Sequence, residues 1–328
     1  MASNLYLGID AGGTKTHALI ADDEGQVRGL GHAGTGNWEG VGLEGARAAY
    51  ETALTEALAQ AEISVGQLSA AGYGLAGFDW PSDTARLQPV VQSLGVPGPW
   101  VLVNDTDVAL RAGTDDGVGV VIISGTGTTV AGCNAAGERW RTFGCGEDLG
   151  DTGGAGGLAR LGLRAVARAY TGAGPDTLLT DLYVQHYQAE SAIALLESFV
   201  REQVPRPSGR LAPLIFEAAR QGDRAAQDVI RHVGREQGLN AAAIIRKLGM
   251  QAASFAIVLA GGVFRSRSQL LVEAIMEPVR AVAAGAFPRT LEAPPVVGGV
   301  LLAMEAAGSR PSLDLQQRLA REASQRLS

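Results

Sequence analysis

Three aspartates and two glycine turns are the residues of this chain whose types and spacing could do chemistry. Asp10 stands at the entrance of LGIDAGGTKTHALIADDEG, Leu7 to Gly25, where Gly12, Gly13, Thr14 and Lys15 lie between two short apolar runs. The turn matches neither common phosphate fingerprint. Its glycines are too close together for a Walker A loop, and it runs into THALIA, which reads as a strand, where a dinucleotide fingerprint opens a helix. A second turn of the same make, Ser124, Gly125, Thr126, Gly127 and Thr128, lies in GVVIISGTGTTVAGCNAAGERW, Gly119 to Trp140. Displacing the first stretch by 114 positions lays Gly13-Thr14 on Gly127-Thr128 and Asp10 on Ser124. A glycine hairpin has free backbone N–H groups and no Cβ to obstruct an anion. One such turn reads equally as a plain hairpin tip; two in register suit a polyphosphate.

Asp105 ends the apolar strand WVLVND. A carboxylate placed there can take a proton from a hydroxyl within hydrogen-bond reach, and desolvation would raise its pKa. It could equally cap the helix that follows, and Asn104 and Asp107 compete for either role. Asp151, in GEDLGDTGGAGGLARLGL, could accept bonds from two vicinal hydroxyls, or it or Thr152 could cap the next helix. Asn37 and Trp38 offer an amide beside a ring that could stack on a pyranose; a turn residue and a buried anchor are the alternatives. Asp79, in LAGFDWPSD, borders a substrate or caps a helix, and His17 reads as core or surface.

The elements that must hold these residues repeat. Each glycine turn joins two strands, and each pair continues through a small polar hairpin (DDEGQ, NAAGE) into a third. A helix over Leu43–Ala61, a strand AAGYGLAG, a helix near Pro81–Leu94, the strand ending at Asp105 and a helix from Thr106 follow the first meander. The second meander is followed by roughly a hundred helical residues, within the usual margin of such boundaries. Then come a strand at Ser254–Gly262, a helix over Ser266–Ala284, a strand near Phe287–Ala293 and a helix from Gly298. The expectation is a duplicated α/β fold with mixed sheets flanked by helices, and ligands in a central cleft outside the strand ends. The lobes are expected at 1–115 and 116–328, with a hinge near Ala112–Gly117 that closes the cleft. Ser312–Leu327 reads as an amphipathic helix that returns to the first lobe or sits at a dimer contact.

Composition narrows the classes. With 328 residues, 46% hydrophobic and 5% aromatic, the core must be built from Ala, Val, Leu and Ile. Net charge is −7, Lys occurs only at 15 and 247, and no basic run offers a face for nucleic acid or an anionic membrane. No apolar run approaches the ~18–20 residues of a membrane helix, and the N-terminus does not read as a signal peptide. Cys133 and Cys145 are too few for a disulfide scaffold or a four-thiolate metal site. A soluble, reduced, cytoplasmic protein is expected.

The motifs GIDAGGTKT, GTGNW, GYGLAG, VNDTDVAL, ISGTGTT, GDTGGAG, LAGGVF and PPVVGGVLLA together resemble the N-acetylglucosamine kinase and BadF/BadG/BcrA/BcrD ATPase-like family. That family lies in the sugar kinase branch of the actin-like ATPase (ribonuclease H-like) superfamily, and the likeness spans nearly the whole chain. It implies an ATP- and Mg²⁺-dependent kinase acting on a hydroxyl, at O6, of an amino sugar such as N-acetylglucosamine or glucosamine, and a homodimer. By the resemblance, Asp10 reaches the metal, Gly12 to Lys15 form the first phosphate loop and Ser124 to Thr128 the second. Gly261, Gly262 and Val263 meet adenosine. Asp105 is the catalytic base, and Asn37, Trp38, Gly77, Asp79, Asp105, Gly144, Cys145, Gly146 and Asp151 line the sugar. Two positions depart from the family pattern GGWG…GDEGS: Cys145 stands for the tryptophan and Thr152 for the glutamate. Both are on the sugar side, so N-acetylmannosamine, N-acetylmuramic acid and a plain hexose stay open. An iron–sulfur activator ATPase of the same superfamily would need thiolates in a shared site, and neither cysteine has that context. A non-catalytic ATP- and sugar-binding regulator is the other alternative; no DNA-binding motif precedes Tyr6, and Asp105 is retained.

Overall fold

A computed structural model describes residues 4–327; the outermost positions of the expected lobes, 1–3 and 328, lie outside the described residues. The chain runs β1 (Leu5–Ala11), β2 (Thr16–Asp22), β3 (Val27–Ala33), α1 (Trp38–Ala61), β4 (Ala70–Leu75), α2 (Asp83–Ser93), β5 (Trp100–Asn104) and α3 (Asp105–Gly113). The pattern then restarts with β6 (Gly119–Ser124), β7 (Thr128–Cys133) and β8 (Arg139–Arg141). Five helices follow: α4 (Gly154–Tyr170), α5 (Leu179–Tyr187), α6 (Ala192–Val200), α7 (Ala212–Arg220) and α8 (Arg224–Lys247). β9 (Phe255–Ala260), α9 (Gln269–Arg280), β10 (Ala286–Thr290), α10 (Val296–Ala306) and α11 (Leu313–Leu327) complete it.

The two sheets share one strand order. The first runs β3-β2-β1-β4-β5 and the second β8-β7-β6-β9-β10, each a meander extended by two later strands. In the first sheet β1 pairs antiparallel with β2 and parallel with β4, and β5 is parallel to β4. The carboxyl ends of β1, β4 and β5 therefore lie side by side, which sets Ala11 opposite Leu75 and Leu75 opposite Asn104. The chain divides into two compact units. One holds the chain up to Val121, Gly132–Glu138 and everything from Arg289 on; the other holds Ile122–Ala131 and Arg139–Pro288. Residues 289–328, assigned to the second lobe by the sequence reading, thus belong to the first unit, and the five-helix insertion belongs to the second.

The first sheet is buried on both faces, because its strands alternate between two cores. Leu7, Ile9, Ala71 and Tyr73 face α1 and α2, against Tyr50, Leu54 and Leu87. Tyr6, Leu19 and Ala70 face the other way, against Val296, Val300 and Met304 of α10 and Leu319 of α11. Gly8 and Gly72 fall on this second face, and only their missing side chains let α10 lie on the sheet backbone. A Cβ on Gly8 would stand 2.5 Å from the Val300 nitrogen, and one on Gly72 would stand 2.1 Å from the Gly299 oxygen.

Sequence and structure differ at α1. Expected from Leu43, it begins at Trp38, capped by Asn37, and bends at Gly42, whose φ is +73°. Gly40 and Gly42 conceal the first turn from a periodicity reading.

Candidate active site

In the first unit the candidate residues gather at the carboxyl edge of the sheet. Asp10, next to last in β1, pairs with His17 of β2 and Gly74 of β4. Burial, and then the carboxylate of Asp105, push Asp10 up to about 7, with Lys15 acting against them. Asp10 and Asp105 are thus brought near enough to feel each other's charge. His17 is held down at about 4 by burial and by Lys15 and His32; it is a core histidine.

The turn after Asp10 closes with Gly12 N–H donating to the Lys15 oxygen at 2.9 Å. The Gly12 oxygen accepts from the Gly36 amide at 3.2 Å and from the Thr35 hydroxyl at 3.3 Å, which ties the turn to the segment entering α1. There Asn37 Oδ1 accepts from the Glu39 amide at 3.0 Å, so the amide oxygen is the helix cap. The Trp38 indole N–H donates to the Gly77 oxygen at 2.7 Å, and the Arg86 guanidinium lies 5.2 Å over its ring. Gly77, at φ +80°, has no room for a Cβ, which would stand 2.6 Å from Asn37 Oδ1. Asn37, Trp38 and Gly77 form one cluster, with a cation on one face of the indole.

Capping is settled by geometry. Asn104 Oδ1 accepts from the Thr106 amide at 3.1 Å and hydroxyl at 2.6 Å, so Asn104 caps α3 and Asp105 is its first residue. The fully buried Asp83 accepts from the amides of Asp79 and Trp80, at 2.9 and 2.7 Å. Asp79 Oδ1 instead accepts from Asn104 Nδ2 at 3.0 Å. Neither Asp79 nor Asp105 serves as an N-cap. Asn104 thereby links Asp79 to the start of α3, a role the sequence reading left open between Asn104 and its neighbours.

In the second unit the β6–β7 turn closes with Gly125 N–H donating to the Gly127 oxygen at 2.9 Å. Its carbonyls point at α4: the Gly125 oxygen accepts from the Ala155 amide at 2.7 Å and that of Thr126 from Gly156 at 3.5 Å. They occupy orphan amides of a helix whose own N-cap, Gly153, has no side chain to offer. Ser124 is fully buried and Thr128 nearly so, so the exposed part of the turn is Gly125 to Gly127. Gly261 ends β9 at φ +102°, where a Cβ would stand 2.4 Å from the Ser124 oxygen. Gly262 is open, while the Val263 side chain is buried.

Asp151, 3% exposed, accepts from the Cys145 amide at 3.1 Å through Oδ2, and its buried Oδ1 has no partner. Gly144 and Gly146, at φ +72° and +90°, turn the chain on either side of Cys145, which is exposed and forms no disulfide. Glu147 and Arg160 pair at 2.9 Å beside this segment.

The glycine turns test whether a polyphosphate fits. A Cβ built on Gly13, Gly125 or Gly127 meets nothing within 4 Å, and none of the three has a positive φ. Neither backbone conformation nor packing asks for glycine there. What remains is the space itself, together with amides that a close-approaching anion can use. Three residues that shape the surroundings of these positions were not singled out in the sequence: Asp83, Arg86 and Gln237. Only Gln237 had a signal, a lone amide on the apolar stripe of α8.

The family model for the BadF/BadG/BcrA/BcrD ATPase family matches residues 7–303. An N-acetylmuramic acid/N-acetylglucosamine kinase of Clostridium acetobutylicum is 27% identical, over 81% of this chain and 88% of that protein. An N-acetyl-D-glucosamine kinase of Dictyostelium discoideum is 30% identical, over 84% and 92%. The crystal structure of a ROK family glucokinase from Streptomyces griseus aligns with a TM-score of 0.54 at 20% identity, covering 97% of this chain and 100% of that one.

Proposed function

We propose that the chain, which belongs to the BadF/BadG/BcrA/BcrD ATPase family, is a sugar kinase whose substrate is an amino sugar, N-acetylglucosamine or glucosamine, phosphorylated at O6. The relatives named for N-acetylmuramic acid and N-acetylglucosamine support the sugar class. The observation that carries the reading is the pair of glycine turns at equivalent strand ends, Gly12–Lys15 and Ser124–Thr128, with open space where Cβ atoms would be at Gly13, Gly125 and Gly127.

Mg²⁺-ATP, when bound, supplies the phosphoryl group and a cation that offsets charge on the transferring oxygens. Asp10 would hold the cation, a hard ion that takes oxygen ligands. Within the turns Gly12–Lys15 and Ser124–Thr128, the amides of Gly13, Thr14, Thr126 and Gly127 would hold phosphate oxygens, those of Gly12 and Gly125 being used to close the turns. Gly261, Gly262 and the Val263 backbone would take adenosine. Asp105 accepts the proton of the attacking hydroxyl; Asn104 is the cap of α3, and Asp105 is its first residue. Asp151 Oδ1 accepts from a sugar hydroxyl, which gives that buried oxygen the partner it otherwise lacks. Asn37, Trp38, Gly77, Asp79, Gly144, Cys145 and Gly146 line the sugar. O6 is the primary hydroxyl, the least hindered on a hexose. Among the described residues no helix is long and apolar enough to cross a membrane. Cys133 and Cys145 form no disulfide; a cytoplasmic location and a homodimer are part of this reading, the dimer for light scattering to check.

ADP production from Mg-ATP across a panel of amino sugars and hexoses tests the proposal, run beside Asp105→Asn. Turnover on N-acetylglucosamine or glucosamine is expected, falling about 10²–10⁴-fold in Asp105→Asn as a lost general base requires, with phosphate at O6 by NMR. ATP binding without turnover on any sugar would sink it.

A further inference from the structure

We propose that Gln237 is a positioning residue that braces the second phosphate loop from below. It sits on the buried stripe of α8, with Ala226, Ile230, Val233, Ala241 and Ile244, and is 0% exposed. Its Nε2 lies 3.2 Å from Ser124 Oγ and 3.3 Å from Thr128 Oγ1, the two residues that flank the turn at Gly125–Gly127. The Thr128 hydroxyl passes its own hydrogen to the Ile123 oxygen at 2.9 Å. One amide thus ties together both stems of the glycine turn, while the carbonyls of Gly125 and Thr126 tie its tip to α4. The same Nε2 abuts Gly153, where a Cβ would stand 2.6 Å away.

Stability alone does not account for this residue. Gln237 Oε1 is buried without a partner, and a buried unsatisfied acceptor destabilises a fold. Every other stripe position named above is apolar, and methionine would fill about the same volume without the orphan Oε1, while taking from Ser124 Oγ the donor it now has. A costly amide at a stripe position that meets both stems of the phosphate turn points to a demand made by the turn. Preorganised amides lose their benefit when their stems move by a fraction of an ångström.

The inference rests on the kinase reading, so the test separates the two. Mg-ATP affinity without sugar and N-acetylglucosamine affinity without nucleotide are measured by calorimetry on wild type and Gln237→Met, with melting curves. Gln237→Met is expected to melt within a few degrees of the wild-type temperature, lose about tenfold in ATP affinity, raise KM for ATP in proportion and keep its sugar affinity. A tenfold loss corresponds to about 1.4 kcal/mol of binding free energy. In a Ser124→Ala, Thr128→Val background, adding Gln237→Met should cost nothing further, since the amide acts through those hydroxyls. Wild-type ATP affinity in Gln237→Met, an equal loss of sugar affinity, or additive losses would overturn the assignment. So would failure of both Gln237→Met and Gln237→Glu to fold, since Gln237 would then be a core residue. A wild-type protein that binds no Mg-ATP would instead bring down the kinase reading.

Discussion

Gly127 and Gly261 are glycine for opposite reasons. Gly261 is held at φ +102° with a Cβ position 2.4 Å from the Ser124 oxygen, so both conformation and packing forbid a side chain. Gly127 has an ordinary φ and open space. Gly127→Ala should therefore leave melting unchanged or raise it slightly, because alanine loses less entropy on folding, while weakening Mg-ATP binding tenfold or more. Gly261→Ala should destabilise by about 2 kcal/mol or more. Thermal melts beside ATP titrations check the pair, and Gly127→Ala with unchanged ATP affinity would contradict the phosphate role. His17 makes a separate prediction. It titrates near 6.5 unfolded and is held down at about 4 in the fold, so between those values the unfolded chain binds more protons. Stability should fall as pH drops from about 6.5 towards 4, by up to ~3 kcal/mol from this residue. His17→Gln should flatten that part of a stability-against-pH curve measured by urea unfolding.

At the scale of elements, α10 lies directly on the backbone of β1 and β4. The late motif PPVVGGVLLA resembles a family signature in the sequence, and its physical content is this contact. Gly298 meets the Val108 oxygen of α3, with a Cβ position at 1.9 Å, and Gly299 meets Gly8 and Gly72. Gly8→Ala would push its Cβ against backbone atoms that cannot rotate away, at a cost of about 3 kcal/mol or more. Gly13→Ala, five residues later and in open space, is the control that should melt as wild type. Periodicity was enough to reveal that α10 is apolar and follows β10, but Gly8 carries no mark in its own strand that it faces a helix 290 residues away. The caps were also only half legible. Asn104, Asp105 and Asp107 are all acceptable caps by type, and the choice of Asn104 rests on a side chain that reaches both Thr106 groups.

At the scale of the whole molecule, the duplication was legible because a two-residue strand period and a glycine turn recur at a fixed offset, and both sheets keep the same strand order. The return of the chain's end to the first unit was left open, because an amphipathic stripe records that a face is buried but not against what. Leu319 and Ala323 of α11 enter the core of Tyr6, Leu19 and Val27. Glu322 accepts from the Val27 amide at 2.8 Å, and Gln316 meets Arg111 and the Asp115 oxygen at 3.2 and 3.0 Å. Arg111 is itself buried and paired with Glu305 at 2.7 Å. Ending the chain at Pro311 would expose Leu19, Val27 and the β2–β3 edge and remove one of the partners of Arg111. The loss of apolar burial alone amounts to about 3 kcal/mol or more. Because α11 packs within the first unit, the damage should be local. In hydrogen exchange, amides of β2 and β3 should lose protection in the shortened chain, while those of β9 and α8 keep theirs. Equal loss in both regions would mean that α11 supports the second unit as well.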